Sequence, residues 1–188
     1  MKLALYLHGF ASSSLSEKAV QTRDYFAAQL PQVQLLTPDL PYTPDEAIAA
    51  IELALDGRRP DAVIGSSLGG FLATWVAERY GCPAVLVNPA VQPDQLLSQH
   101  FGVYRHPVLQ QDFLVNAEQM PKLRVLERQP TQPDRYLVLL QSGDEVLDYR
   151  KAEHWYQGCQ IETVQGGNHS FVGYANYLPA IVKFCQFA

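Results

Sequence analysis

A short apolar run at residues 62–64 passes directly into Gly65-Ser66-Ser67-Leu68-Gly69 and then into residues 68–80, apolar over most of a helical circumference. A strand that turns straight into a helix leaves little room at the bend. The residue at the apex is held in a strained backbone conformation, with its side chain lifted clear of the sheet. Side chains two positions before and after it would collide there, and glycine stands at both, Gly65 and Gly69. Of the two serines only Ser67 has glycine at both distances, so Ser67 is expected at the apex and Ser66 facing into the protein. The helix that starts there also aims its amide dipoles at the same point. A phosphate-binding turn uses similar glycines, but no lysine follows these and no G-x-G-x-x-G occurs.

The rest of the chain repeats the same rhythm of short β-type runs and helical stretches, which implies a parallel sheet with crossover helices on its faces. Strands are expected at 3–7, 33–37, 62–64, 84–87, 136–140 and 161–164, six in all. Helices are expected at about 16–30, with Ser14 and Glu17 as a capping box, and from Thr43-Pro44-Asp45-Glu46 to Gly57. Others are expected at 68–80, 149–156 and 174–187, where Pro179 marks a kink or a late start. The helix at 68–80 should be the most buried. Residues 88–133, rich in Gln and Pro, read as an irregular lid-like insertion with short helices near 95–99 and 118–128. The chain is thus expected to form one domain over residues 1–188, consistent with its length.

Charge and cysteine content narrow the function classes. The formal net charge is −5 and no Lys/Arg cluster is present, so nucleic acid and anionic membranes are poor partners. No apolar run approaches the ~20 residues of a spanning helix, and the opening apolar stretch breaks at His8-Gly9 without a cleavage site. The three cysteines, Cys82, Cys159 and Cys185, are widely spaced and contain no CxxC. That argues against a disulfide framework or a zinc site and for a reducing, cytoplasmic compartment, with no metal and no cofactor expected.

A serine hydroxyl is a weak nucleophile until a base takes its proton. Of the five histidines, His169 follows Gly166-Gly167-Asn168 between the last strand and the last helix, a loop able to place an imidazole over the carboxyl edge of the sheet. His100 and His106 fall in the insertion and His154 in a surface helix, where packing or solvent roles are expected. An orienting acid should leave a strand end between serine and histidine. Asp144 does so, after Gln141-Ser142-Gly143, with Glu145 and Asp148 as rivals. Glu145 diverges from its neighbour, and Asp148 suits a helix cap. The backbone amides of Leu68 and of Phe10, the latter in His8-Gly9-Phe10 after the first strand, are placed to hold an oxyanion. His8 itself is expected to brace that loop. The order Ser67, Asp144, His169 is that of α/β-hydrolases.

These segments resemble the YqiA-type small bacterial esterases, a branch of the α/β-hydrolase superfamily. The likeness runs nearly end to end. It is carried by Leu5-Tyr6-Leu7-His8-Gly9-Phe10, Gly65-Ser66-Ser67-Leu68-Gly69-Gly70, Val87-Asn88-Pro89-Ala90, residues 141–150 from Gln141 to Arg150, and Gly166-Gly167-Asn168-His169. It implies an α/β-hydrolase fold with a reduced, mostly parallel sheet. It further implies carboxylic ester hydrolysis on short acyl esters, with acyl-CoA thioesters as the alternative substrate class. Arg105 or Lys122 beside a groove would favour the thioester. A catalytically quiet binding protein of the same fold is the remaining alternative.

Overall fold

The computed structural model describes residues 1–187. Its main sheet has six strands, β1 (Lys2–Leu7), β2 (Val33–Leu36), β3 (Ala62–Ser66), β4 (Ala84–Val87), β7 (Tyr136–Gln141) and β8 (Gln160–Val164), in the order β2-β1-β3-β4-β7-β8. Every pairing in it is parallel, so the expected "mostly parallel" sheet is wholly parallel among the described residues. The central strands β3, β4 and β7 are buried along their whole length. Both faces of a parallel sheet are covered by its crossover helices, which is why these strands read as continuous apolar runs.

The covering helices divide between the two faces. On one side α2 (Pro44–Leu55), α3 (Leu68–Tyr80), α5 (Met120–Leu126) and α6 (Tyr149–Trp155) pack against Leu3, Leu5 and Leu7. On the other, α1 (Glu17–Gln29) and α7 (Leu178–Phe184) pack against Ala4 and Tyr6. The alternation along β1 is the period-two geometry of a strand feeding two cores. In α3, nine consecutive residues from Gly69 to Ala77 are buried, as the unbroken apolar stretch required.

Helix ends follow local chemistry with some differences from expectation. Thr43 caps α2 with Pro44 in the first turn, and its hydroxyl bonds the Glu46 carboxylate rather than a backbone amide. The expected Ser14–Glu17 box does not form. Ser14 instead bonds the Asp39 carboxylate through both its amide and its hydroxyl, and Ser16 precedes α1. At the C-terminal end Tyr174–Tyr177 form a 3₁₀ turn and α7 begins at Leu178, so Pro179 marks a late start.

Residues 88–133 are more ordered than expected. They hold α4 (Pro93–Leu97), α5, and an antiparallel hairpin of β5 (Gly102–Arg105) and β6 (Asp112–Val115). The hairpin buries Phe113 and Val115 against Tyr42. Asn116 and Gln119 then form a capping box ahead of α5. No helix among the described residues is long and apolar enough to cross a membrane.

Candidate active site

The chain leaves β1 toward β2 on one side and passes to β3 on the other, so the winding direction reverses between β1 and β3. Open α/β sheets form a crevice at the carboxyl ends of the strands at such a switch. His8 follows β1, Ser67 follows β3, Asn88 follows β4, Asp144 lies just beyond β7, and His169 sits in the loop after β8. All five therefore meet at one edge of the sheet.

Ser67 has φ 56° and ψ −122°, a region that non-glycine residues enter only when the surroundings impose it. The elbow is pinned from both sides: the Ser67 amide donates to the Val87 carbonyl (3.0 Å), and the Ala90 amide donates to the Ser67 carbonyl (3.0 Å). A side chain at Gly65 would run into the Gly69 backbone, with Ala73 Cβ only 2.7 Å away; one at Gly69 would strike the Leu7 and His8 carbonyls. Both glycines are thus required for space. Ser66 is buried, as expected.

His169 Nε2 lies 3.0 Å from Ser67 Oγ, and its Nδ1 lies 2.8 and 3.0 Å from the two Asp144 oxygens. A carboxylate only accepts, so the imidazole proton sits on Nδ1 and leaves Nε2 free to accept from the serine hydroxyl. The Asp144 side chain is 1% exposed. Its Oδ1 also accepts the Val146 and Leu147 amides at 2.9 and 2.8 Å, which fixes the carboxylate in place.

The rival acids stand elsewhere. Asp148 caps α6, accepting the Arg150 amide and pairing with its guanidinium. Glu145 accepts the backbone amide of His169 at 3.0 Å, and that bond holds its carboxyl below the usual range. It touches the histidine only through the main chain.

Gly9 lies against the serine: a Cβ there would stand 3.1 Å from Ser67 Cβ. The amides of Phe10 and Leu68 have no acceptor among the described residues. A narrow apolar cleft runs from Gly9, Phe10 and Leu68 to Leu97, Met120 and Leu123. Arg105 and Lys122 do not point into it as free cations: each is paired, with Asp112 and Asp45 respectively.

The sequence did not single out the residues that hold the histidine loop. Asn88, buried, donates to the carbonyls of Asn168 (3.1 Å) and His169 (3.2 Å) and accepts the Gln141 amide (2.9 Å). Gln141, also buried, accepts the amides of Asn168 and Val172 and donates to the Val172 carbonyl. A buried amide side chain at the end of a continuous apolar strand was the available signal.

His8 braces its loop as expected, with Nε2 accepting the Leu40 amide (2.9 Å) and Nδ1 facing the Gly9 carbonyl. Burial, foremost, lowers its pKa to about 4. Of the two roles open to it, His106 takes packing: it is fully buried and stacked on Tyr42. His8, Asp39 and His106 bring possible ligand atoms within 4.8 Å of one another. The donor set does not suit a metal: His106 Nδ1 accepts the Val108 and Leu109 amides, which puts the ring proton on the Nε2 that faces Asp39, and both His8 nitrogens are engaged. Cys82 and Cys185 are buried, and desolvation pushes both thiols up to about 12, away from thiolate chemistry.

Comparison with known proteins gives a family and a fold. The family model described as "Uncharacterised protein family (UPF0227)" matches residues 3–186. A putative hydrolase from Agrobacterium vitis S4 superposes with a TM-score of 0.72 at 15% identity, over 98% of this chain and 87% of that one. Est1E from Butyrivibrio proteoclasticus, with ferulic acid bound, gives 0.69 at 17% identity, over 99% and 88%. The esterase domain of a Rhodothermus marinus protein gives 0.66 at 17%, over 98% and 86%. At these identities the likeness is one of fold.

Proposed function

The chain belongs to the UPF0227 family, a YqiA-type branch of the α/β-hydrolase superfamily, and from that premise we propose that it is a serine esterase acting on small carboxylic esters. One observation carries the reading: a hydroxyl on a strained elbow, 3.0 Å from an imidazole nitrogen whose partner nitrogen is locked on a buried carboxylate.

In the proposed reaction, Ser67 Oγ attacks the ester carbonyl as His169 Nε2 takes its proton. The Leu68 and Phe10 amides donate to the developing oxyanion, a role suited to donors with no other acceptor. The tetrahedral centre collapses, the alcohol leaves with the proton from His169, and the acyl group remains on Ser67. Water, deprotonated by His169, attacks the acyl-enzyme and releases the acid. Asp144 keeps the imidazole in the required tautomer and stabilises its charged form. The apolar cleft takes the acyl chain. Neither Arg105 nor Lys122 lines the apolar cleft, and each already faces a carboxylate, which favours the ester.

A fluorophosphonate probe tests the proposal directly. Label is expected on the wild type and absent from Ser67→Ala, with turnover of a short acyl ester reduced roughly a million-fold. Label that persists in Ser67→Ala, or an unlabelled and inactive wild type, overturns it.

A further inference from the structure

A second cleft opens beside Ser67 and His169, on the other side of Gly9 and Phe10 from the apolar one. Its walls are mixed: Ser12, Ser16, Lys18 and Ser170 bring polar groups, and Tyr6 and Phe10 line it beside them. Three features there converge on negative charge.

Lys18 stands in the first turn of α1, where the helix dipole already presents positive potential. A lysine at that end opposes the usual preference for acidic residues, a local conflict of the kind that marks function. Its ammonium donates to the Ser170 carbonyl (2.8 Å), which leaves two N–H groups for another acceptor. Glu17 and Asp144 are the negative groups acting on it. Glu17 is bonded by Gln21 on the helix surface, and Asp144 is engaged by His169.

The start of α1 is open. Ser16 makes no side-chain cap, and the amides of Glu17, Lys18 and Ala19 have no acceptor among the described residues. The hydroxyl of Tyr6, a residue 1% exposed, lies near the Ser16 side chain but makes no hydrogen bond of normal geometry. A buried hydroxyl without a partner is costly, and an oxyanion seated between Lys18 and Ser16 gives this group an acceptor.

We propose that this cleft is an anion subsite that receives a carboxylate or phosphate carried on the leaving group of the ester. The inference rests on the esterase reading for its side of the bond. The departing alcohol is protonated by His169, and His169 lines this cleft and not the apolar one. The substrate is then an acyl ester of a hydroxy acid or of a hydroxyalkyl phosphate, with its chain in the apolar cleft and its charge at Lys18.

The test compares butyryloxyacetate and butyryloxyethyl phosphate with the neutral 2-(butyryloxy)acetamide, each rate normalised to its hydroxide-catalysed hydrolysis. In the wild type kcat/KM for at least one anionic ester is expected to exceed that of the neutral ester by about tenfold or more, the scale of a charge-assisted hydrogen bond. The two anionic arms distinguish carboxylate from phosphate. The ratio is expected to fall toward one in Lys18→Met and to drop severalfold in Tyr6→Phe. If Lys18 merely braces the histidine loop, Lys18→Met slows all three esters alike and the ratio survives, which overturns the subsite. So does a wild-type ratio at or below one for both anions. Titration of inorganic phosphate, followed by the Lys18 side-chain NMR signal, reads the site without turnover. A saturable shift with phosphate, or with acetate titrated in the same way, supports the subsite even if no ester is hydrolysed, an outcome that would sink only the esterase reading; no shift with either anion refutes the subsite itself.

Discussion

The side-chain amide of Asn88 donates to the backbone carbonyl of His169 across 3.2 Å, tying the end of β4 to the loop that follows β8. A second bond to Asn168 and an accepted bond from the Gln141 amide make Asn88 the junction of three strand ends. The imidazole therefore stands on a loop whose position is set by buried hydrogen bonds rather than by its own conformational preference.

Removing that junction should disturb the chemistry without touching the reacting atoms. Asn88→Ala leaves two carbonyls and one amide short of a partner, at about 1–3 kcal/mol of stability for each that stays buried. The expected kinetic result is a lower kcat with KM little changed, measured on a short acyl ester after thermal unfolding shows the variant folded. An equal loss in KM would assign Asn88 to substrate binding instead.

The three acids at this edge should separate cleanly. Asp144→Asn is expected to lower kcat about ten-thousand-fold, because an amide presented to Nδ1 favours the wrong tautomer. Asp148→Asn keeps the helix cap, since an amide oxygen also accepts the Arg150 N–H, and loses only an exposed ion pair, so its effect on kcat should be slight. Glu145→Gln should fall between the two, since its contact is with the His169 amide. Rates of the three variants on one ester decide the order.

Acid should weaken the fold through His8. Its pKa is lowered from 6.5 to about 4, chiefly by burial, with nearby His106 acting in the same direction and the Gly9 carbonyl and Asp39 opposing. Between those values the unfolded chain binds a proton at this position that the folded chain does not. Stability from this group therefore falls as pH drops from 6.5 toward 4 and levels off below, a loss of about 3 kcal/mol. The geometry agrees, since a protonated Nε2 would confront the Leu40 amide. In His8→Asn, whose amide oxygen can accept that N–H without titrating, urea unfolding at pH 7 and pH 4.5 should show a correspondingly smaller difference.

Chain-length preference should follow the far wall of the apolar cleft. Met120, buried there beside Leu97 and Leu123, can be enlarged to fill it. Met120→Trp is expected to shift kcat/KM from longer acyl chains toward acetate esters by about tenfold or more, at an overpacking cost of about 1–3 kcal/mol. An unchanged chain-length profile in a folded variant would place the acyl chain elsewhere.

The sequence by itself determined the elements whose cause is local. The apolar run into Gly65-Ser66-Ser67-Leu68-Gly69 specified strand, elbow and helix because steric demands within five residues allow little else. The alternation of buried strands and helices likewise implied the parallel sheet, and the ends of those strands pointed to Ser67, Asp144 and His169. Tertiary structure decided whatever depends on partners distant in sequence. Ser14 left its predicted capping box because Asp39 lies within reach in space. The β5–β6 hairpin escaped notice because its short strands acquire a buried face only against Tyr42. Asn88 and Gln141 became clamps, and His106 a buried ring, only once the sheet brought their neighbours together. Local sterics can be read along a chain, whereas the partner of a buried polar group is known only when the fold has delivered it.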